Sequence, residues 1–371
     1  MSNVILVGAF GQGNPGDEAL CAAFCRALAA HDVTIVSADP ELTMRQHGQS
    51  AIAPSARSVG SAVRHADAVV VGGGTVFKQL ERSTGRMANS LLLHTAALVG
   101  GARASSTNVA MIGVGAGALR GRSARSLCRW IVPRCDLVVL RDEESASVLA
   151  HAGAQPPFWI GADPAWGLFS QPLDDERGVA DRRTITVALS HHAMERAGLD
   201  SLIAGLGSLT DEWLVRLQPW QAGLNNLDLQ LAEEMRSRLG RAEIIEPPID
   251  LLHAAEIFAG DALVIGMRFH ALVAAAAAGS RFVAIAHEPK LAGLARRLEQ
   301  ASVPVHASAE VMGGIIAWAL ANEPAVPAAV RDEMASAAHQ FQLLDLLLDN
   351  GAFERPDQLA TLALSTGRGA W

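Results

Sequence analysis

Ala262-Leu263-Val264-Ile265-Gly266-Met267-Arg268-Phe269-His270 reads as a buried strand that passes directly into an alanine-rich helix. An arginine and a histidine sit on the junction. In open α/β sheets, ligands bind outside the carboxyl ends of strands. A helix start adds free backbone N–H groups and a positive dipole end. The junction is therefore built for an anion.

Working outward, short β-branched runs alternate with helical stretches. Strands are expected at Val4–Val7, Val33–Val36, Ala68–Val71, Val109–Ile112 and Leu137–Leu140. After the first of these, Leu20, Phe24, Ala27 and Leu28 fall on one helical face. A helix from Glu143 to Ala152 is expected to stop at Gly153. The pattern then restarts, with strands at Thr184–Leu189, Glu243–Ile245, Leu263–Ile265 and Phe282–Ile285. Buried strands alternating with helices predict parallel, doubly wound sheets. The fold class expected is therefore α/β, with two Rossmann-like domains facing a cleft. The boundaries expected are 1–172, 182–325 and a C-terminal helical tail at 326–371. The polar loop from about Gln171 to Arg183, with Asp174-Asp175-Glu176-Arg177, marks the break.

Composition bounds the function. Half of the 371 residues are apolar and 18% are charged, as in a globular chain. A net charge of −8 and the lack of any basic run argue against nucleic acid. Cys21, Cys25, Cys128 and Cys135 form no CxxC pair and show no histidine at zinc spacing, so reduced core thiols and no metal are expected. The first residues read as a strand and not a signal peptide. The apolar stretch from Ala271 to Ala286 is broken by Gly279, Ser280 and Arg281, so no transmembrane segment is expected. The expected location is cytoplasmic, with peripheral contact at the inner face of a membrane through the substrate as an option.

Near the N-terminus, Gly11, Gly13 and Gly16 form GxGxxG, and Asp39 follows the second expected strand. That is the outline of a dinucleotide site. Asp17 and Glu18 weigh against it, because two carboxylates at the helix start would repel a pyrophosphate. The same stretch is also a well-made helix start, with Asn14 as N-cap and Pro15 behind it. A carboxylate there suits proton transfer. Gly72-Gly73-Gly74 ends a further strand, where glycine permits positive φ or close approach of a ligand. Arg141 follows Leu140 at a strand end, and Lys290 follows the next strand after Arg268. Converging cations suit a small molecule carrying a carboxylate and a phosphate. The turn Gly161-Ala162-Asp163-Pro164-Ala165-Trp166 either seats a hinge or lines the cleft, and the hinge role is favoured.

Read in order, Gly13-Asn14-Pro15-Gly16-Asp17-Glu18-Ala19, Gly72-Gly73-Gly74, Arg141-Asp142-Glu143-Glu144-Ser145, Asp163-Pro164 and Gly266-Met267-Arg268-Phe269-His270-Ala271 resemble the polysaccharide pyruvyl transferase family. His287-Glu288-Pro289-Lys290 is similar to its DPK-like segment, with Glu288 in place of the usual Asp. The resemblance implies a glycosyltransferase-B-like fold. It implies transfer of pyruvate from phosphoenolpyruvate to two sugar hydroxyls, giving a cyclic ketal and phosphate, with no cofactor and no metal. It places Asp17 and His270 at the chemistry. It places Asn14, Gly16, Gly73, Gly74, Arg141, Arg268, Phe269 and Lys290 in substrate binding. The partners implied are phosphoenolpyruvate and a sugar acceptor, free or lipid-linked; a homo-oligomer is left open. With no tyrosine in the chain, sugar stacking falls to tryptophan and phenylalanine, with Trp166, Trp213 or Trp220 as examples, and Gln218-Pro219-Trp220-Gln221 is a weak acceptor candidate. Two other readings stand beside this one: a nucleotide-sugar glycosyltransferase of the same architecture, and a non-catalytic glycan-binding relative.

Overall fold

The computed structural model describes residues 1–80, 85–154, 157–170, 183–194, 196–207, 209, 212–221, 226–322 and 327–350. The expected linker, including Asp174 to Arg177, lies outside these apart from Arg183. The chain forms two compact units. The first takes Met1–Gln12, Leu20–Gly167 and the chain from Ala335; the second takes Gly13–Ala19 and Leu168–Met334. Residues 13–19 thus group with the second unit and not with the strand they follow.

The first unit holds β1 (Asn3–Phe10), β2 (Asp32–Ser37), β3 (Ser50–Ile52), β4 (Ala68–Gly72), β5 (Thr75–Phe77), β6 (Asn108–Ala116), β7 (Leu137–Leu140) and β8 (Trp159–Ile160). Their order is β3-β2-β1-β4-β6-β7-β8, with β5 beside β6, and every pairing is parallel. Strands covered on both faces must be apolar throughout, and Val69, Val70, Leu137, Val138 and Leu140 are all buried. The helix Pro15–Ala27 buries Leu20, Phe24 and the following Leu28, on the face expected. The helix Glu143–His151 is capped by Asp142, and Gly153 follows it at φ +77°.

The second unit holds β9 (Thr184–Leu189), β10 (Leu214–Pro219), β11 (Ala242–Ile244), β12 (Leu263–Gly266), β13 (Phe282–Ala286) and β14 (Ala301–Pro304). Their order is β11-β10-β9-β12-β13-β14, again all parallel. Its core packs Ile185, Val187, Leu217, Ile265, Val283 and Ile285 against Leu202, Met235 and Ile316. The alanine-rich helix Phe269–Ala277 is almost wholly buried, which small side chains allow next to a sheet.

In each sheet the strand order reverses once, at β1/β4 and at β9/β12. Those are the topological switch points, where adjacent connections leave toward opposite faces and open a crevice at the carboxyl ends. Gly72-Gly73-Gly74 stands at the first, and Arg268 to His270 at the second. The long C-terminal helix, Pro327–Asn350, fits the helical pattern expected there. No helix among the described residues is long and apolar enough to cross a membrane.

Candidate functional site

The second unit carries the denser cluster. Pro15 opens the helix Pro15–Ala27, and Asn14 precedes it. Asn14 Oδ1 accepts from the Gly16 amide at 3.2 Å, the N-cap bond expected. Its Nδ2 donates to Asp17 Oδ2 at 2.7 Å. The Asn14 amide thus caps the helix and fixes the Asp17 carboxylate at once. Burial pushes the Asp17 pKa above its ordinary value, against the opposing influence of His270, the Asn14 hydrogen bond and Lys290.

Arg268 is the N-cap residue of the helix Phe269–Ala277, with extended backbone, so its side chain leaves the strand end as the chain turns. Arg268 Nη2 donates to Asp228 Oδ2 at 3.2 Å. Its Nε is buried and has no hydrogen-bond acceptor among the described residues. A buried guanidinium N–H of this kind is available to an acceptor, and at a strand end and helix start an anion is the acceptor that suits it. His270 lies in the first turn of the same helix. Its ring meets that of buried Phe269 edge-on, centroids 5.5 Å apart. The ring also lies against Gly16, where a β-carbon would overlap Nδ1.

Lys290 is the second residue of the helix Pro289–Arg297 and pairs with Glu288 Oε2 at 2.6 Å. It is therefore held by the acid two residues before it. Burial lowers the His287 pKa; Lys290 and Arg268 act in the same direction and Glu288 in the other. The ends of β12 and β13 thus present one electrostatic field, and Lys290 extends it to Asp17.

Asp228 organises this end of the sheet. It is 4% exposed, in the first turn of the helix Leu227–Leu239. It accepts from the His191 amide at 2.7 Å and the Gln221 amide at 3.1 Å, as well as from Arg268. The segments after β9, β10 and β12 therefore meet on one carboxylate. Sequence reading missed it, because an acid in a helix's first turn is ordinary.

The first unit presents a separate set. Arg141 follows β7 and is 3% exposed. Its Nε donates to Asp142 Oδ2 at 2.8 Å, and its Nη1 lies 3.8 Å from Asp163 Oδ2. Asp142 also accepts from the Ser145 amide at 2.8 Å. Burial alone would raise the Asp142 pKa, but the Arg141 charge and the Ser145 hydrogen bonds hold it below its ordinary value. Arg141 is thus a cation embraced by acids. Gly73 has φ +64°, and a β-carbon there would meet Leu20 Cδ1 at 2.7 Å. Gly74 is also at positive φ. The turn after β4 therefore needs glycine for its own path.

The expectation of sugar stacking on tryptophans needs revision. Trp166 and Trp220 are 0% and 1% exposed, so neither stacks on a sugar. Trp213 precedes β10 at the sheet's amino end, away from the strand ends that bear the cluster, and sits under Arg183 at 5.8 Å. Asp39, the acid of the dinucleotide outline, spends Oδ1 on the Leu42 amide as cap of the helix Pro40–His47.

A family model described as polysaccharide pyruvyl transferase matches residues 14–289. No curated protein sequence matches the chain. Among solved structures, Anabaena Alr3699/HepE in complex with UDP and glucose is similar, with TM-score 0.61 and 12% identity over 94% of this chain and 100% of that one. A putative UDP-N-acetylglucosamine 2-epimerase from Listeria monocytogenes gives TM-score 0.62 and 12% identity over 95% and 98%. The Neisseria meningitidis UDP-GlcNAc 2-epimerase bound to UDP-GlcNAc gives 0.61 and 12% over 94% and 100%. At such identities the likeness speaks for the fold, a glycosyltransferase-B-like arrangement of two Rossmann-like sheets.

Proposed function

This chain belongs to the polysaccharide pyruvyl transferase family, and on that premise we propose that it moves pyruvate from phosphoenolpyruvate to two hydroxyls of a sugar. The observation that carries the reading is Arg268. Its buried, unmatched Nε–H stands at a switch-point strand end and a helix start, beside His270. Phosphoenolpyruvate is a compact dianion or trianion, and a guanidinium offers it planar, paired donors. Lys290 adds positive charge in the same field. Arg141, Gly73 and Gly74 belong to the proposed substrate-binding set through the family pattern.

The chemistry requires two proton movements. A proton is added to the methylene carbon of the enolpyruvate, and the first sugar oxygen bonds the adjacent carbon while losing its own proton. The second hydroxyl then bonds that same carbon, its proton leaves, and the bond to the phosphate oxygen breaks. The methylene has become a methyl, and inorganic phosphate departs. His270 is the proposed donor to the methylene carbon. Asp17 is the proposed base for the hydroxyl; its raised pKa makes it a better base than a solvated aspartate. Each such group contributes typically about 10²–10⁴-fold. The acceptor is proposed to be a sugar of a glycan or glycan precursor, free or lipid-linked, with the protein working on the cytoplasmic side.

The competing reading is a nucleotide-sugar enzyme, since two of the similar solved structures are complexes with UDP and glucose or with UDP-GlcNAc. Thermal stability with phosphoenolpyruvate, UDP, GDP or NAD separates the two. Stabilisation by phosphoenolpyruvate that vanishes in Arg268→Ala supports pyruvyl transfer. Stabilisation by a nucleoside diphosphate alone overturns it.

A further inference from the structure

Cys21 and Cys25 lie four residues apart on the helix Pro15–Ala27, so both thiols emerge from one helical face. His47 closes the helix Pro40–His47. One donor atom from each of the three lies within 4.8 Å of the others. Among the described residues this is the cluster of histidine, cysteine and acidic groups that could hold a metal ion. It takes no part in the proposed transfer. The histidine is 22 residues beyond Cys25, and that distance hides the trio from any spacing rule based on paired cysteines.

We propose that Cys21, Cys25 and His47 bind one soft or borderline divalent cation, zinc by preference, that ties the two helices together. The donor set fits. Two thiolates and one imidazole are zinc ligands, and hard cations such as magnesium and calcium want oxygen instead. Two thiolates neutralise the charge of the ion. The donors need to close by only about 1 Å to reach the spacing that ~2.0–2.3 Å zinc bonds impose. Cys21 is fully buried, whereas Cys25 and His47 are partly exposed. Their partial exposure gives the ion a route in from solvent. Cys21 follows Asp17 by one helical turn, so an ion here stiffens the helix that carries that carboxylate.

Cys128 and Cys135 supply the contrast. Burial pushes their thiols up to about 11 and about 12, which keeps them protonated and poor ligands.

The test is titration of the reduced, metal-stripped full chain with Co²⁺, then Zn²⁺. The expected result is one equivalent of Co²⁺ per chain, with a thiolate-to-cobalt charge-transfer band and strong tetrahedral visible bands, both abolished by Zn²⁺. Cys25→Ser and Cys21→Ser should each weaken Zn²⁺ by at least about 100-fold, since even an outer-shell partner is worth roughly 10–100-fold. Cys128→Ser should leave affinity unchanged. If Cys21→Ser fails to fold, His47→Asn at the accessible ligand gives the same reading, as a loss of the tetrahedral spectrum. Sub-stoichiometric cobalt without a charge-transfer band overturns the site, as does zinc affinity indifferent to all three substitutions. A Cys21–Cys25 disulfide in the freshly purified chain also overturns it, by making the pair redox-active and not metal-binding. None of these readouts depends on transferase activity.

Discussion

The imidazole of His270 rests on Gly16 so closely that a single β-carbon at Gly16 would overlap Nδ1. Two residues more than 250 positions apart are thus fitted to each other at the starts of two helices. Glycine inside a helix costs about 0.5–1 kcal/mol relative to alanine. Here the loss is accepted for the approach of a side chain. Gly16→Ala should therefore lower thermal stability modestly, because overpacking costs about 1–3 kcal/mol and the regained helix propensity offsets only about 0.5–1 kcal/mol. Pyruvyl transfer should fall by about 10²-fold, since a displacement of roughly 1 Å at a reacting group costs that much. Initial rates and melting temperature, measured together, decide it. A variant with full activity would break the link between Gly16 and His270.

Asp17 should reveal itself by pH. Its folded pKa is raised above the ordinary 3.8. Between those two values the folded state holds the proton more tightly than the unfolded state, so stability falls as pH rises through that window. Asp17→Asn removes the charge and with it this loss. The variant should be more stable than the parent at pH 7, and the gap should close as pH falls toward 3.8. Turnover at pH 7 should drop by about 10²–10⁴-fold with phosphoenolpyruvate binding retained. Denaturation at several pH values and a binding titration check both halves. Equal stability across the range would contradict the direction of the shift.

Asp228 holds three segments at the end of one sheet, and its loss should be felt at Arg268. Asp228→Asn keeps the shape but turns a charged acceptor into an amide with its own N–H to place. A buried group deprived of its partner costs about 1–3 kcal/mol. The expected outcome is a loss of stability in that range, with weakened phosphoenolpyruvate binding as Arg268 loses its anchor. Asp228→Ala should be worse on both counts. A stability loss with binding untouched would make Asp228 purely a loop brace.

What could be read from the chain follows the physics of its signals. Runs such as Val69-Val70-Val71 and Leu137-Val138-Val139-Leu140 announce buried parallel strands, because nothing else tolerates so many β-branched residues between helices. β10 escaped because Arg216 and Gln218 interrupt it, and β14 because it is Ala-Ser-Val-Pro. The helix-start chemistry of Asn14 and Pro15 was legible, since capping is local. Asp228 and His47 were not. Their importance arises only when distant segments fold onto them, and each alone looks like a routine helix-terminal residue. Trp166 and Trp220 were misread for the opposite reason: residue type suggested sugar stacking, and burial decided otherwise.

Arg141 should behave as a charge that the first unit cannot spare. It is buried between Asp142 and Asp163. Arg141→Met preserves much of the volume and leaves two carboxylates facing each other without a cation. Breaking a buried pair on one side costs about 3–5 kcal/mol. The sign with pH follows from Asp142. Arg141 is a main reason its folded pKa lies below 3.8 despite burial, so in the parent this carboxylate stabilises the fold above 3.8 and that support is lost as pH falls through the depressed value. Without Arg141, burial dominates and the folded pKa rises. The variant then gains relative stability as pH falls and the stranded Asp142 takes up a proton. The stability gap between parent and Arg141→Met should therefore be widest near pH 7 and narrow toward pH 4, which urea unfolding at both pH values measures. A gap that stays constant would mean that the lost packing of the arginine side chain, and not its charge, is what the first unit depends on.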